Sequence, residues 1–465
     1  MRTKKVGILT LAISLISIGC LLLLRNFFNF DVGFVLSIFT PSVIILFGLE
    51  LILSKLIFDN KKEEIKMKVD KLSLILLIIV VIVTSMGNLS LRVDGVNIFG
   101  SDIFYEHSSF YTRNYDLDVK GKNKFIINNS HGDIDIRSTD KEKISINCDI
   151  NIKHNDEEYV EGILDQIVEI KDLKEAIEVK TKGDRRFYDR KNIVGINVSY
   201  FIEIPKGIEV KVDNRYGDIY VEGINEVATI ENGYGEIEIK NIGNKLNIIN
   251  SYGDIEIENV KGNSKIVNEH GKVKAVNIDK NLEIETSYDN VEVAKINGDV
   301  YIKNGHDKIE VDDVRGSLTI DSEYCDIETS NIGKDADIEG SHGDMKLENI
   351  VGNVKIDSKY DEIYLSEVYK EINIMGLHSD IRVENSKEIK DYVKITTEYG
   401  DVDLRVSKEQ KGEFILFSTD DEIDTNLDLT IEEEGRGEKV NEVITGGEGK
   451  FDIEARNGDI EIFTR

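Results

Sequence analysis

The chain of 465 residues has no tryptophan, only two prolines and only three cysteines. Each proline removes a backbone donor, so their scarcity suits a fold made of continuous hydrogen-bonded ladders. Cys20, Cys148 and Cys325 lie far apart, which excludes a disulfide framework. There is no Cys-x-x-Cys pair and no Cys/His spacing suited to zinc. Positive charge is also short: 58 Lys+Arg face 88 Asp+Glu, a formal net charge of -30. The imbalance is uneven, with 11 Lys+Arg against 6 Asp+Glu up to Arg92 and 47 against 82 from Val93 onward. A surface that acidic repels nucleic acid and anionic lipid headgroups and suits solubility or cationic partners. No motif names a reaction, so no catalytic, cofactor-binding or metal-ligating residue is assigned, and no cofactor is implied.

What the chain does have begins with three apolar runs, about residues 6–24, 32–57 and 72–91. Each is long enough for a helix to cross a hydrocarbon core of ~30 Å, so three transmembrane helices are expected. Lys and Arg cluster before the first run and between the second and third, while only Arg25 separates the first from the second. That bias places the N-terminus in the cytoplasm and everything after about Arg92 outside the cell, as in a multi-pass membrane protein. Glu50 is expected near the inner interface, a turn or two from Lys55. Cys20 follows Ser-Ile-Gly, but Ser17 stands where a lipoprotein signal has leucine, and the run stays apolar through Leu24.

The charged start, the Gly19–Leu24 run and Pro41-Ser-Val-Ile-Ile-Leu-Phe-Gly48 resemble the membrane region of Lia-type envelope-stress proteins of Gram-positive bacteria. With only a few N-terminal residues and the loop 58–71 expected in the cytoplasm, a signal passed inward would need a separate membrane or cytoplasmic partner.

Residues 93–124 are polar and aromatic and are expected to form an irregular extracellular lead-in. A β part with one amphipathic helix follows over 125–215. The helix is expected at about 156–170, because Val160, Ile163, Leu164 and Ile167 follow helical spacing. Such a helix could cap the open end of a sheet stack.

Residues 216–398 are expected to form a regular β-solenoid, and from Tyr216 to Ile381 the sequence repeats every 18 residues. Tyr216, Tyr234, Tyr252, His270, Tyr288, His306, Tyr324, His342, Tyr360 and His378 occupy one position in successive units, here numbered zero. Apolar residues recur at +3, +5, +8, +12 and +14, with isoleucine at +14 nine times from Ile230 to Ile374. Spacing by two is strand spacing, and the glycines between mark corners. A single unit cannot bury these residues, but stacked units can. The expected fold is therefore all-β, a single-stranded parallel β-helix. After His378 the register slips by three residues; residues 399–465 are expected to end and cap the stack, with a closing pair of strands at the C-terminus.

Position zero points outward in this register and forms an exposed Tyr/His ladder. Histidines two coils apart are about 9.6 Å apart, too far to share an ion with zinc–nitrogen bonds of about 2.0–2.1 Å. A stacked ladder that supports register is the favoured reading. Asp218, Asp254, Asp326, Asp344 and Asp380 lie beside it but lack the pattern of calcium-binding solenoids, which favours solvated charge.

Ile202-Glu-Ile-Pro205-Lys-Gly207-Ile-Glu-Val-Lys-Val212, the recurring Tyr-Gly-Asp-Ile and the terminal Asn457-Gly-Asp-Ile460 resemble the putative-adhesin β-strand repeat family, also called toastrack domains. The likeness runs from about His131 to Arg465. It implies a right-handed solenoid outside the cell and carries no catalytic residues. The expected function is thus non-enzymatic: envelope-stress sensing or an envelope scaffold, or alternatively adhesion, with a cell-wall or surface ligand. A polysaccharide-cleaving solenoid would need long loops that build a groove, and the 18-residue units leave no room for them.

Overall fold

A computed structural model describes residues 3–24, 42–52, 66–69, 73–76, 92–93, 96–97, 107–183 and 192–465. The chain divides into two compact units, Met1–Ser108 with Lys153–Glu157, and Ser109–Ile152 with Glu158–Arg465.

In the first unit, strand Thr3–Val6 pairs in parallel with Lys66–Val69. Helix Ile8–Leu24 follows, and a second helix covers 42–52. Glu50 closes the start of the first helix: its carboxylate accepts the Gly7 and Thr10 amides, both at 2.9 Å, and the Thr10 hydroxyl. An acidic side chain suits that position, because the first amides of a helix have no partner within it. Glu50 therefore has a capping role. Among the described residues no helix is long and apolar enough to cross a membrane. The first expected span loses Val6 to a strand, and its 17 helical residues rise only about 26 Å, short of a ~30 Å core. This corrects the expectation of an integral protein with three spans, and with it the multi-pass placement and cytoplasmic N-terminus. Parts of the second and third expected spans, including Lys55, lie outside the described residues.

The second unit is a parallel β-solenoid of about 11 turns with coils of about 18 residues. Each coil supplies two strand segments, and each segment pairs with its equivalent in the next coil. Ile237 faces Ile255, Ile248 faces Ile266, Ile302 faces Ile320, and Val354 faces Ile372. The aliphatic residues at +3, +5, +8, +12 and +14 are buried; Ile284, Ile302 and Ile338, for example, are wholly enclosed. Alternate residues between them face water. The burial pattern follows from pleating, since successive side chains of a strand point to opposite faces.

The three-residue slip after His378 appears as the pairing of Ile372 with Val393. Beyond it the chain order and the stacking order part company. Gly412–Thr419 and Ile423–Thr425 form the coil farther out, and antiparallel strand Gly437–Ile444 covers it. The chain then returns, and Gly449–Arg456 and Ile460–Thr464 insert between that coil and the one formed by Tyr392–Val406. The C-terminal strands are therefore interior strands of the stack. The beginning is built the same way. Lys124–Asn128 and Ile134–Thr139 lie between Ala176–Thr181 and Ile193–Pro205 on one side and Glu209–Glu222 on the other. Both ends are closed by strands that fold outward and by a coil held on both edges, which hides the open ladders that a plain stack would expose.

The lead-in differs from its expected irregular form. His107–Asp118 is a strand of 12 residues, and Tyr111, Tyr115, Leu117 and Val119 pack against the core at a spacing that alternates. Helix Glu157–Ile167 buries Val160, Leu164 and Ile167. The charged stretch near Glu432 forms a short hairpin, with Glu432–Glu434 antiparallel to the strand at Gly437.

Candidate functional site

One corner of the solenoid carries the most regular chemistry. Its outer layer is a stack of twelve rings: His131, the ten position-zero residues from Tyr216 to His378, and Tyr399. Successive ring centroids are 4.7 to 5.1 Å apart, the strand spacing of the coils themselves. From Tyr234 to Tyr324 the rings are nearly parallel, with angles of 2° to 11°. At Tyr324–His342 the angle opens to 30°. The ring faces are used by neighbours, so the edges, with the tyrosine hydroxyls and imidazole nitrogens, face out. Tyr252, Tyr288 and Tyr360 are 42%, 45% and 53% exposed.

The backbone at the corner changes along the stack. In the coils from Tyr216 to His270 the chain turns at a left-handed glycine just after the ring, as at Gly235 (φ 140°) and Gly253 (φ 128°). A Cβ on Gly253 would meet the Gly235 carbonyl oxygen at 2.1 Å, so the close stacking of corners requires glycine. Asp289 and Asp307 take the same left-handed place in the next two coils. At Tyr324 the strand runs straight through the corner, from Leu318 to Ile332, and Cys325 turns inward and is buried. From His342 onward the ring residue itself is left-handed, at 61°, 65°, 55° and 62° for His342, Tyr360, His378 and Tyr399.

Beneath the rings lies a second, buried ladder at the position two before each ring. Asn214, Asn232, Asn250 and Asn268 each donate through Nδ2 to the glycine carbonyl of their own corner and to that of the preceding coil. For Asn268 the distances are 2.8 Å to Gly271 and 3.2 Å to Gly253. Asn304 continues the pattern, donating to Asp289 and His306 carbonyls. This ladder pins corner to corner from inside. Sequence reasoning passed over it, although the spacing Asn-x-Tyr/His-Gly was visible.

The carboxylates beside the rings prove to be engaged. Asp218 accepts the Glu236 amide (2.9 Å), Asp254 that of Lys272 (2.9 Å), Asp326 that of Asp344 (3.1 Å), Asp344 that of Glu362 (3.3 Å) and Asp380 that of Asp401 (3.0 Å). Each spans one coil step. Asp401 and Asp459 extend the series through the inserted C-terminal coil to Glu422. They stay exposed to solvent and also hold the register of the corner. Among the described residues no group of three or more His, Cys, Asp or Glu could hold a metal ion.

Elsewhere the outer sheet faces carry ion pairs along the stack, such as Lys265–Glu283 (2.6 Å) and Lys274–Glu256 (2.7 Å). An open acidic depression of about 470 Å³ near the start of the solenoid is lined by Asp133, Asp135, Asp149, Phe201, Tyr220 and Glu236, among others. Its aromatic faces are taken: the Arg137 guanidinium lies 5.8 Å from the Phe201 ring centroid and 4.8 Å from that of Tyr220, and is held by both oxygens of Asp135.

Stacked coils with an unbroken side-chain seam define a parallel β-solenoid. Residues 282–463 match the family model Toastrack DUF4097. Among solved structures, the chain is similar to a putative cell adhesion protein from Clostridium sporogenes (11% identity, covering 77% of this chain and 100% of that one, TM-score 0.18). It is also similar to a putative adhesin from Bacteroides fragilis (11%, 77% and 97%, TM-score 0.19) and to a putative lipid binding protein from Parabacteroides distasonis (11%, 76% and 96%, TM-score 0.17). No curated protein matches.

Proposed function

We propose that this chain is a non-enzymatic surface protein whose solenoid is a stiff rod for adhesion or for scaffolding the cell envelope. The observation that carries this reading is the ring ladder, a continuous stack of twelve rings on one exposed corner. A surface that repeats every coil offers many equal contacts along a line, which suits an extended partner and multivalent attachment. The toastrack match over 282–463 supports it. Catalysis of the glycosidase type would need converging carboxyl groups free to exchange protons. Here the carboxylates that line the corner are committed to amides of the next coil. Envelope-stress sensing drew on the expected spans, and adhesion or scaffolding is favoured without them.

The test uses the full chain coupled to beads and a strain from which its gene is deleted. The proposal expects the beads to bind whole cells or isolated envelopes, and the deletion to reduce attachment. Beads that bind neither, together with unchanged attachment of the deletion strain, would overturn it.

A further inference from the structure

The ladder alternates, and stacking does not ask it to. From Tyr252 to Tyr399 nine rings run Tyr, His, Tyr, His without exception. Yet Tyr216, Tyr234 and Tyr252 stack tyrosine on tyrosine just as well, at 4.9 and 4.8 Å with angles of 11° and 2°. A seam that served only to hold register could be all tyrosine. Nor is the alternation the imprint of a duplicated two-coil unit. The neighbouring column reads Gly, Gly, Asp, Asp, Cys, Gly, Asp, Ser from Gly253 to Ser379 and shows no two-coil period.

We infer that the ladder binds an extended β-1,4-linked glycan chain lying along the solenoid axis, a ligand class that rests on the surface-protein reading above. Successive sugars in such a chain are turned over with respect to one another, so one edge shows the same groups at every second sugar. Two coils advance about 9.6 Å, and two β-1,4-linked sugars span nearly the same length. Tyrosine hydroxyls would then meet one kind of sugar edge and imidazoles the other. Recognition is by hydrogen bonds to ring edges, because the ring faces are occupied by their neighbours. The exposed Glu269 and Glu323, each just before a ring, and the net charge of -30 suit uncharged or amine-bearing sugars and repel chains of uronic acids.

The test is binding of soluble hexasaccharides to the full chain: β-1,4-linked glucose, β-1,4-linked N-acetylglucosamine and its de-N-acetylated form, with an α-1,4-linked glucose hexamer as control. At least one β-1,4-linked hexamer is expected to bind and the α-linked one to fail. Which of the three binds distinguishes a cellulose-type source from an N-acetylhexosamine source such as a wall or chitin strand. The all-tyrosine variant, H270Y/H306Y/H342Y/H378Y, makes every ring from Tyr216 to Tyr399 tyrosine. Its melting temperature should match the parent while affinity falls about 30-fold, as expected when three modest hydrogen bonds, one at every second sugar of the hexamer, are lost together. His306→Gln is a milder second variant, expected to weaken binding about threefold. Shifts of the histidine imidazole resonances on adding the bound hexamer give a readout in the unaltered chain. The inference is overturned if no β-1,4-linked hexamer binds, if the α-linked hexamer binds equally, or if the all-tyrosine variant binds undiminished. Loss of cell attachment on gene deletion, with no hexamer bound, would sink the glycan assignment and leave the adhesion reading standing.

Discussion

Truncating Ile302 to alanine should cost the solenoid about 2–5 kcal/mol, the range for a buried isoleucine whose cavity cannot collapse. Ile302 is wholly buried and sits between Ile284 and Ile320 of the adjoining coils. Its loss weakens two coil interfaces at once. Since stability in a stack is passed between neighbours, the damage should be local first. Hydrogen exchange should accelerate over residues 282–320, while the coils near Ile230 and Ile453 keep their protection. Ile302→Asp should go further and unfold much of the stack, because a carboxylate would be buried without a partner. The control is the next residue. Lys303 points outward, its side chain 57% exposed, and pairs with Asp321 at 2.5 Å; Lys303→Ala should change stability by no more than about 0.5 kcal/mol. Thermal melts followed by far-UV circular dichroism would measure all three. Equal losses at Ile302 and Lys303, or an unchanged melt for Ile302→Asp, would refute the inward register.

Other consequences follow from the corner. Gly253→Ala should lower the melting temperature sharply, because the new Cβ would lie 2.1 Å from a backbone oxygen at a φ that alanine avoids. Asp218→Ala should cost about 0.5–1 kcal/mol by removing the acceptor of the exposed Glu236 amide. Asp218→Asn keeps an acceptor and should be nearly neutral, and added calcium should leave the melt of the parent chain unmoved. Burial pushes the thiols of Cys148 and Cys325 up to about 12. Alkylation at about pH 8 followed by peptide mapping should find both unmodified in the native chain and modified after unfolding.

The solenoid was legible because its signal is repeated: a period of 18 residues with isoleucine at +14 gives the same answer in every coil. The outward ring ladder followed from the same count. What escaped were features with no repetition of their own. The insertion of the C-terminal coil between two earlier ones depends on long-range pairing, such as Ile395 with Ile453, that no local pattern encodes. The strand at His107–Asp118 was hidden by its aromatic and polar mixture, although Tyr111, Tyr115 and Leu117 alternate. The capping role of Glu50 is invisible in a reading that places it near a membrane interface, because its partners Gly7 and Thr10 lie some forty residues away in the chain. The engaged state of Asp218 and its equivalents could have been suspected. An acidic residue repeated next to a turn commonly accepts a nearby amide.

The register itself is tested most directly by paired cysteines. Lys303 and Asp321 are partners in adjacent coils, at the strand spacing of about 4.8 Å, within disulfide reach. Lys303 and Glu339 are two coils apart, about 9.6 Å, beyond it. The account predicts that K303C/D321C forms an intramolecular disulfide under mild oxidation and that K303C/E339C does not, as read by mass spectrometry of the digested chain. A bridge in the second pair and none in the first would contradict it.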